Sequence, residues 1–155
     1  MEYISTRNKN LKYNFKDIFL RGLAPDGGLF IPKHIKKYND VEIKKLSTLN
    51  YIDLATEIIF NFCSSSLEKN QLKNLVRKSY QNFTTEEVIK LKKFGDLNLI
   101  ELYHGPTLAF KDIAMQVLGN MYDEFNNSSD NKVNIIVATS GDTGSAAIAA
   151  LNDRK

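Results

Sequence analysis

The chain has 155 residues, 43% of them hydrophobic, and its 21 Lys and Arg against 18 Asp and Glu give a net charge of +3. That is enough for one real core, or for a small domain plus part of another, and no stretch is long and apolar enough to cross a bilayer. The basic residues come as scattered pairs (Lys36-Lys37, Lys44-Lys45, Lys92-Lys93) mixed with acids, without the aromatic-interleaved stripe that a nucleic-acid surface needs.

A single cysteine, Cys63, makes no internal disulfide and no metal cluster, and reads as packing on a helix face. Residues 1–7 lack the charged-then-apolar layout of a secretory leader, so the expected compartment is the cytoplasm, with no membrane and no nucleic-acid partner.

In chain order, Phe15, Ile18 and Phe19 share one helical face. Gly22–Pro32, with two prolines and three glycines, predicts turns around a short apolar strand. Tyr51–Phe62 repeats Leu54, Ala55, Ile58, Ile59 and Phe62 at helical spacing. Leu67–Phe83 does the same with Leu72, Leu75, Val76 and Tyr80, entered through Ser64–Ser66 as N-caps. Thr84 and Glu87 have capping-box spacing, yet Val88–Leu91 also suits an extended segment, and the pattern leaves both open.

After Gly95 the character changes. Leu97–Tyr103 predicts a strand, His104–Thr107 a loop, and Phe110, Ile113, Ala114, Val117, Leu118, Met121 and Phe125 one broad apolar helix face. A polar loop, Asn126–Lys132, leads to Val133–Ala138, an unbroken apolar run of the kind buried in a parallel sheet. The glycine loop Thr139–Gly144 and an Ala-rich helix follow. The expected class is therefore α/β: a mostly helical N-terminal domain over 1–95, then over 96–155 one βαβ unit of an open sheet and the start of the next. Two parallel strands leave faces that need covering, so the chain reads as truncated.

Two features carry chemistry. Lys111 stands at the start of a helix, in line with Met115, Leu118 and Tyr122. Lysine forms Schiff bases with aldehydes, and burial with the positive end of a helix dipole disfavours its ammonium form. Taken alone it reads as one of many snorkelling surface lysines. Thr139–Ser145 joins a strand to a helix, where Gly141 and Gly144 admit close approach and backbone N–H groups and hydroxyls make an anion site. Taken alone it is as readily an ordinary turn. Together, at one edge of a βαβ unit, an amine that traps an aldehyde beside an anion cradle points to a cofactor aldehyde and an amino-acid substrate.

His104-Gly105-Pro106-Thr107-Leu108-Ala109-Phe110-Lys111-Asp112 closely resembles the cofactor-lysine signature of threonine synthases, which use pyridoxal phosphate on a tryptophan-synthase-β-like fold. Tyr3–Arg7 and Gly22–Phe30 resemble further pieces of that family in the same order, with Asn8 where glycine is usual. The resemblance implies conversion of O-phospho-L-homoserine and water to L-threonine and phosphate through a Schiff base on Lys111, as part of a longer enzyme.

It further implies Asp142 near the cofactor ring, or as a helix N-cap, and Ser140, Gly141, Thr143 and Gly144 as holders of the substrate carboxylate. Thr107 and Phe110 are then expected to shape the pocket, Asp112 to face the helix dipole, His104 to orient backbone, and His34 to lie on the surface. The alternatives are a threonine-synthase-like phospho-lyase or threonine dehydratase, and a truncated non-catalytic fragment or interaction module.

Overall fold

A computed structural model describes residues 1–126, 134–152 and 154 and divides into two compact units, Met1–Asn74 and Leu75–Lys155. In the first, strand β1 (Tyr3–Ser5) pairs antiparallel with β2 (Phe30–Pro32), Ile4 opposite Ile31, and Tyr3 also bridges to Tyr13. Between them lies helix α1 (Phe15–Arg21), and after them α2 (Asp40–Leu46), α3 (Tyr51–Cys63) and α4 (Lys69–Tyr80), inside which the division between units falls. The expected mostly helical start is what forms.

Each of α1, α2 and α3 begins at an asparagine whose side chain takes an otherwise unmet N–H: Asn14 from Asp17, Asn39 from Glu42 and Asn50 from Asp53. Asn39 and Glu42 complete a capping box around α2, a seven-residue helix whose apolar pattern is too short to register. The serines expected to cap α4 do other work. Ser65 and Ser66 accept from Phe15 and Lys16 N–H at the start of α1, while Ser64 and Leu67 end α3.

The two N-terminal motifs fold onto each other. The buried Ser5 hydroxyl donates to Asp26 Oδ1 at 2.7 Å, Gly28 N–H donates to the same oxygen at 2.9 Å, and Arg7 N–H donates to Ser5 Oγ. The Ser5 hydroxyl, with help from Gly28, holds the Asp26 carboxyl below the usual range. These motif residues therefore tie strand to turn. Tyr3 is buried, donates its hydroxyl to Phe62 O at 2.9 Å, and packs its ring 6.2 Å from Phe15. Burial pushes the Cys63 thiol up to about 11, consistent with packing rather than reactivity, and His34 is exposed.

Leu72, Leu75, Val76 and Tyr80 are buried, as their spacing predicts. Leu72→Ala, at a fully enclosed site, is expected to cost about 2–5 kcal/mol by urea denaturation, through lost transfer energy and the cavity left behind.

The second unit opens with a turn that settles Thr84–Ile89 as neither helix nor strand. Thr84 N–H donates to His104 O, and the buried, β-branched Val88 takes a positive φ of 62°. Strand β3 (Lys90–Phe94) then pairs antiparallel with β4 (Leu97–Glu101) around Gly95-Asp96, Gly95 at φ 59° suiting a two-residue hairpin. Helix α5 (Asp112–Asn126) follows, and α6 (Asp142–Leu151) closes the unit. The face of α5 is narrower than expected: Val117, Met121 and Phe125 are buried with Gln116 and Asn120, while Ala114, Leu118 and the preceding Phe110 are exposed.

The α/β class holds, but the parallel βαβ unit does not form among the described residues. The partner of β4 is β3, and residues 134–138 of the expected second strand carry no ladder, Ile136 being 95% exposed; Val133 lies outside the described residues. An apolar run becomes a strand only where a neighbour meets its N–H and C=O groups. No helix among the described residues is long and apolar enough to cross a membrane.

Candidate cofactor site

The turn before α5 is built around a carboxylate. Asp112, the first residue of α5, is fully buried, and its two oxygens take the Thr107 N–H at 2.8 Å and the Thr107 hydroxyl at 2.7 Å. Inside the ring so closed, Leu108 has a positive φ of 61° and its N–H reaches Gly105 O. Thr107 thus points at Asp112, and Asp112, the acid of the first turn as expected, is also buried and clamps Thr107. Its charge gave no sign of this; the nearby Gly105 and Thr107 were the only clue, since a Cβ at position 105 would stand 2.4 Å from Asp112 Cβ.

Lys111 immediately precedes this helix. Its side chain is half-buried, with Nζ 4.7 Å from the centroid of the exposed Phe110 ring, and its carbonyl accepts from Met115 N–H at 2.9 Å. The amine is thus presented on an aromatic face from a backbone fixed on both sides.

Behind it, His104 O accepts from Thr84 N–H, and His104 Nε2 lies 3.1 Å from the buried Glu101 carboxylate, as expected for a histidine that orders backbone. The Lys92 ammonium, 2.6 Å from Glu101, holds that carboxyl below its usual range against the opposing effect of burial, with Tyr103 and His104 adding to it.

The glycine loop is partly self-satisfied. Thr139 Oγ1 accepts from Gly141 N–H at 3.2 Å and from Gly144 N–H at 3.0 Å, so both of these expected donors already have a partner within the loop. Ser140, Gly141 and Asp142 are exposed, Thr143 is half-buried and Gly144 buried. The N-cap of α6 is Gly141, at φ 137°, without a side-chain bond, so Asp142 is the first helical residue and does not cap.

Gly119 of α5 lies against Ala150 of α6, and Arg154, beyond the C-terminal end of α6, reaches across to Asn120 at 3.1 Å and to Asp123. Lys111 and the Thr139–Gly144 loop each stand at the N-terminal start of one of these two packed helices. No group of His, Cys, Asp and Glu among the described residues is arranged to hold a metal ion.

The family model described as threonine synthase N terminus matches residues 2–80, about half of the chain. The chain belongs to the threonine synthase family. It is 41% identical over 149 residues to threonine synthase of Pseudomonas aeruginosa, covering 96% of this chain and 32% of that protein. It is 37% identical to threonine synthase-like 2 of Xenopus laevis, covering 100% of this chain and 33% of the relative. The structure superposes on pyridoxal-phosphate-bound threonine synthase from Brucella melitensis with a TM-score of 0.91 at 36% identity, covering 100% of this chain and 34% of that one. The chain thus spans about a third of the length of these threonine synthases.

Proposed function

We propose that this chain is the N-terminal portion of a threonine synthase that converts O-phospho-L-homoserine and water to L-threonine and phosphate, with pyridoxal phosphate held by Lys111. The observation that carries the reading is a half-buried lysine on an aromatic ring at a fixed helix start, with a hydroxyl-rich glycine loop at the start of the helix packed against it.

These residues fit the cofactor. Lys111 offers the one primary amine of the turn, Phe110 an apolar wall, and the start of α6 a place for anionic groups. When bound, the cofactor supplies an electron sink for the carbanion that elimination of phosphate requires. Lys111 Nζ would hold the cofactor and, as a free amine, would move the proton at the substrate Cα. Ser140, Gly141, Thr143 and Gly144 are proposed to hold the substrate carboxylate, Ser140 and Thr143 through their hydroxyls and Gly141 and Gly144 by letting it approach the backbone. Asp142 is proposed to lie near the ring. Residues 1–95 are proposed as the N-terminal domain and 96–155 as the beginning of the catalytic one, working in the cytoplasm.

The test is to incubate the chain with pyridoxal phosphate, reduce with borohydride and map pyridoxyl-lysine by peptide mass spectrometry. Label concentrated on Lys111 and lost in Lys111→Ala is expected. Label spread over the exposed lysines in proportion to their exposure would sink the assignment. The likeness to the Xenopus threonine synthase-like protein supports a second reading, a phospho-lyase on the same substrate. Fused to the remaining two thirds of a threonine synthase, the chain separates the two: phosphate released with threonine supports the first, phosphate without threonine the second.

A further inference from the structure

We infer that Asp112 is a positioning residue for the reactive lysine: its buried carboxylate, gripping Thr107, fixes the turn from which Lys111 emerges. The inference rests on the reading of Lys111 as the cofactor lysine.

A carboxylate is expensive to bury unless its oxygens are hydrogen-bonded. Asp112 is 0% exposed, and both of its oxygens are engaged by one residue, Thr107, five positions earlier. A partner for the helix dipole needs only its charge near the first turn, so the engagement of both oxygens by one residue is a further role. Between the two lies Leu108, at φ 61° with its side chain 67% exposed, so no burial of that side chain stabilises the unfavourable backbone. The turn holds because Thr107 is clamped on one side and the helix begins on the other, through Asp112 N–H to Ala109 O at 3.0 Å and Met115 N–H to Lys111 O at 2.9 Å. Gly105 completes the fit, its missing Cβ leaving the space that Asp112 occupies. Lys111 sits between the clamp and the first turn of α5, so its backbone direction depends on both.

The test uses Asp112→Asn, Thr107→Val and the conservative Thr107→Ser, with two readouts. Asn offers one acceptor oxygen where the carboxylate offers two, and Val removes the hydroxyl donor while keeping its shape. Each is expected to slow reductive pyridoxal-phosphate labelling of Lys111 by about tenfold, the worth of one charge-assisted hydrogen bond, while Thr107→Ser restores it.

The second readout needs no cofactor. Chymotryptic cleavage of the folded chain after Leu108 and Phe110, both exposed, is expected to rise by about the same factor in the first two variants and not in the third. The inference is overturned if Asp112→Asn and Thr107→Val lower the melting temperature but leave labelling and loop cleavage at wild-type rates. If Lys111 fails to label in the wild type, the lysine assignment falls, and loop cleavage alone then decides the clamp. Should Asp112→Asn not fold, the Thr107 pair decides.

Discussion

Gly119→Ala is expected to destabilise the chain by roughly 1–3 kcal/mol, although alanine is the better helix former by about 1 kcal/mol. Position 119 lies in mid-α5, where the propensity gain would ordinarily win. Here a Cβ would stand 2.4 Å from the Ala150 carbonyl oxygen and 3.1 Å from the Arg154 guanidinium. The first is a backbone atom of α6, so relief requires the helices to separate or the last turn of α6, with the Arg154 Nε–H bond to that oxygen, to deform. Either cost exceeds the propensity term. Urea denaturation should show the midpoint falling with little change in slope. A raised midpoint would mean that α5 and α6 do not pack this closely.

Gly105→Ala is expected to cost more, roughly 2–4 kcal/mol, because its clash also undoes hydrogen bonds. The added methyl would meet Asp112 Cβ at 2.4 Å and Oδ2 at 2.5 Å, on a side chain fully enclosed and bonded twice to Thr107. Moving Asp112 leaves the Thr107 N–H and hydroxyl without their acceptor, and a loop position recovers nothing through helix propensity. Asp112→Ala in the Gly105→Ala background should add much less than in the wild type, since the two changes break the same contacts. Additive losses in that double-mutant cycle would show that the two residues do not share one locus.

Both substitutions act on features that sequence reading reaches unevenly. The face of α4 was legible because twelve residues repeat their apolar positions often enough to fix a period, and Leu72, Leu75, Val76 and Tyr80 are buried accordingly. In α3 the helix forms as its spacing predicts, but the residues buried are Thr56 and Cys63, not the expected Leu54, Ala55, Ile58, Ile59 and Phe62. The seven-residue α2 repeats nothing; its signal was the Asn39–Glu42 capping box, local chemistry rather than periodicity. The asparagine content, which composition alone does not explain, places caps on three successive helices.

Strand β3 was obscured because its sequence, Lys90-Leu91-Lys92-Lys93-Phe94, places neither face consistently indoors. Residues 134–138 misled in the opposite sense: their apolar run has the composition of a strand, but pairing is a property of two segments and cannot be read from one. At the site, the motif singles out Lys111, whereas its contact with the Phe110 ring comes from the structure, and the part played by Asp112 depends on a contact five residues back and on burial that no charge pattern reveals.

The hairpin carries a consequence for behaviour in concentrated solution. Leu91, Phe94, Leu97, Leu99 and Ile100 are each more than half exposed on a two-stranded sheet, and Ile135, Ile136 and Val137 form a second uncharged, β-prone stretch after α5. A sheet of two strands has two edges, and apolar edges are templates for adding further strands. Unless these surfaces are covered by other protein, molecules of this chain attract one another through them. The net charge of +3 supplies little mutual repulsion, and added salt weakens even that. Solubility of the chain is therefore set by its hairpin more than by the stability of its core.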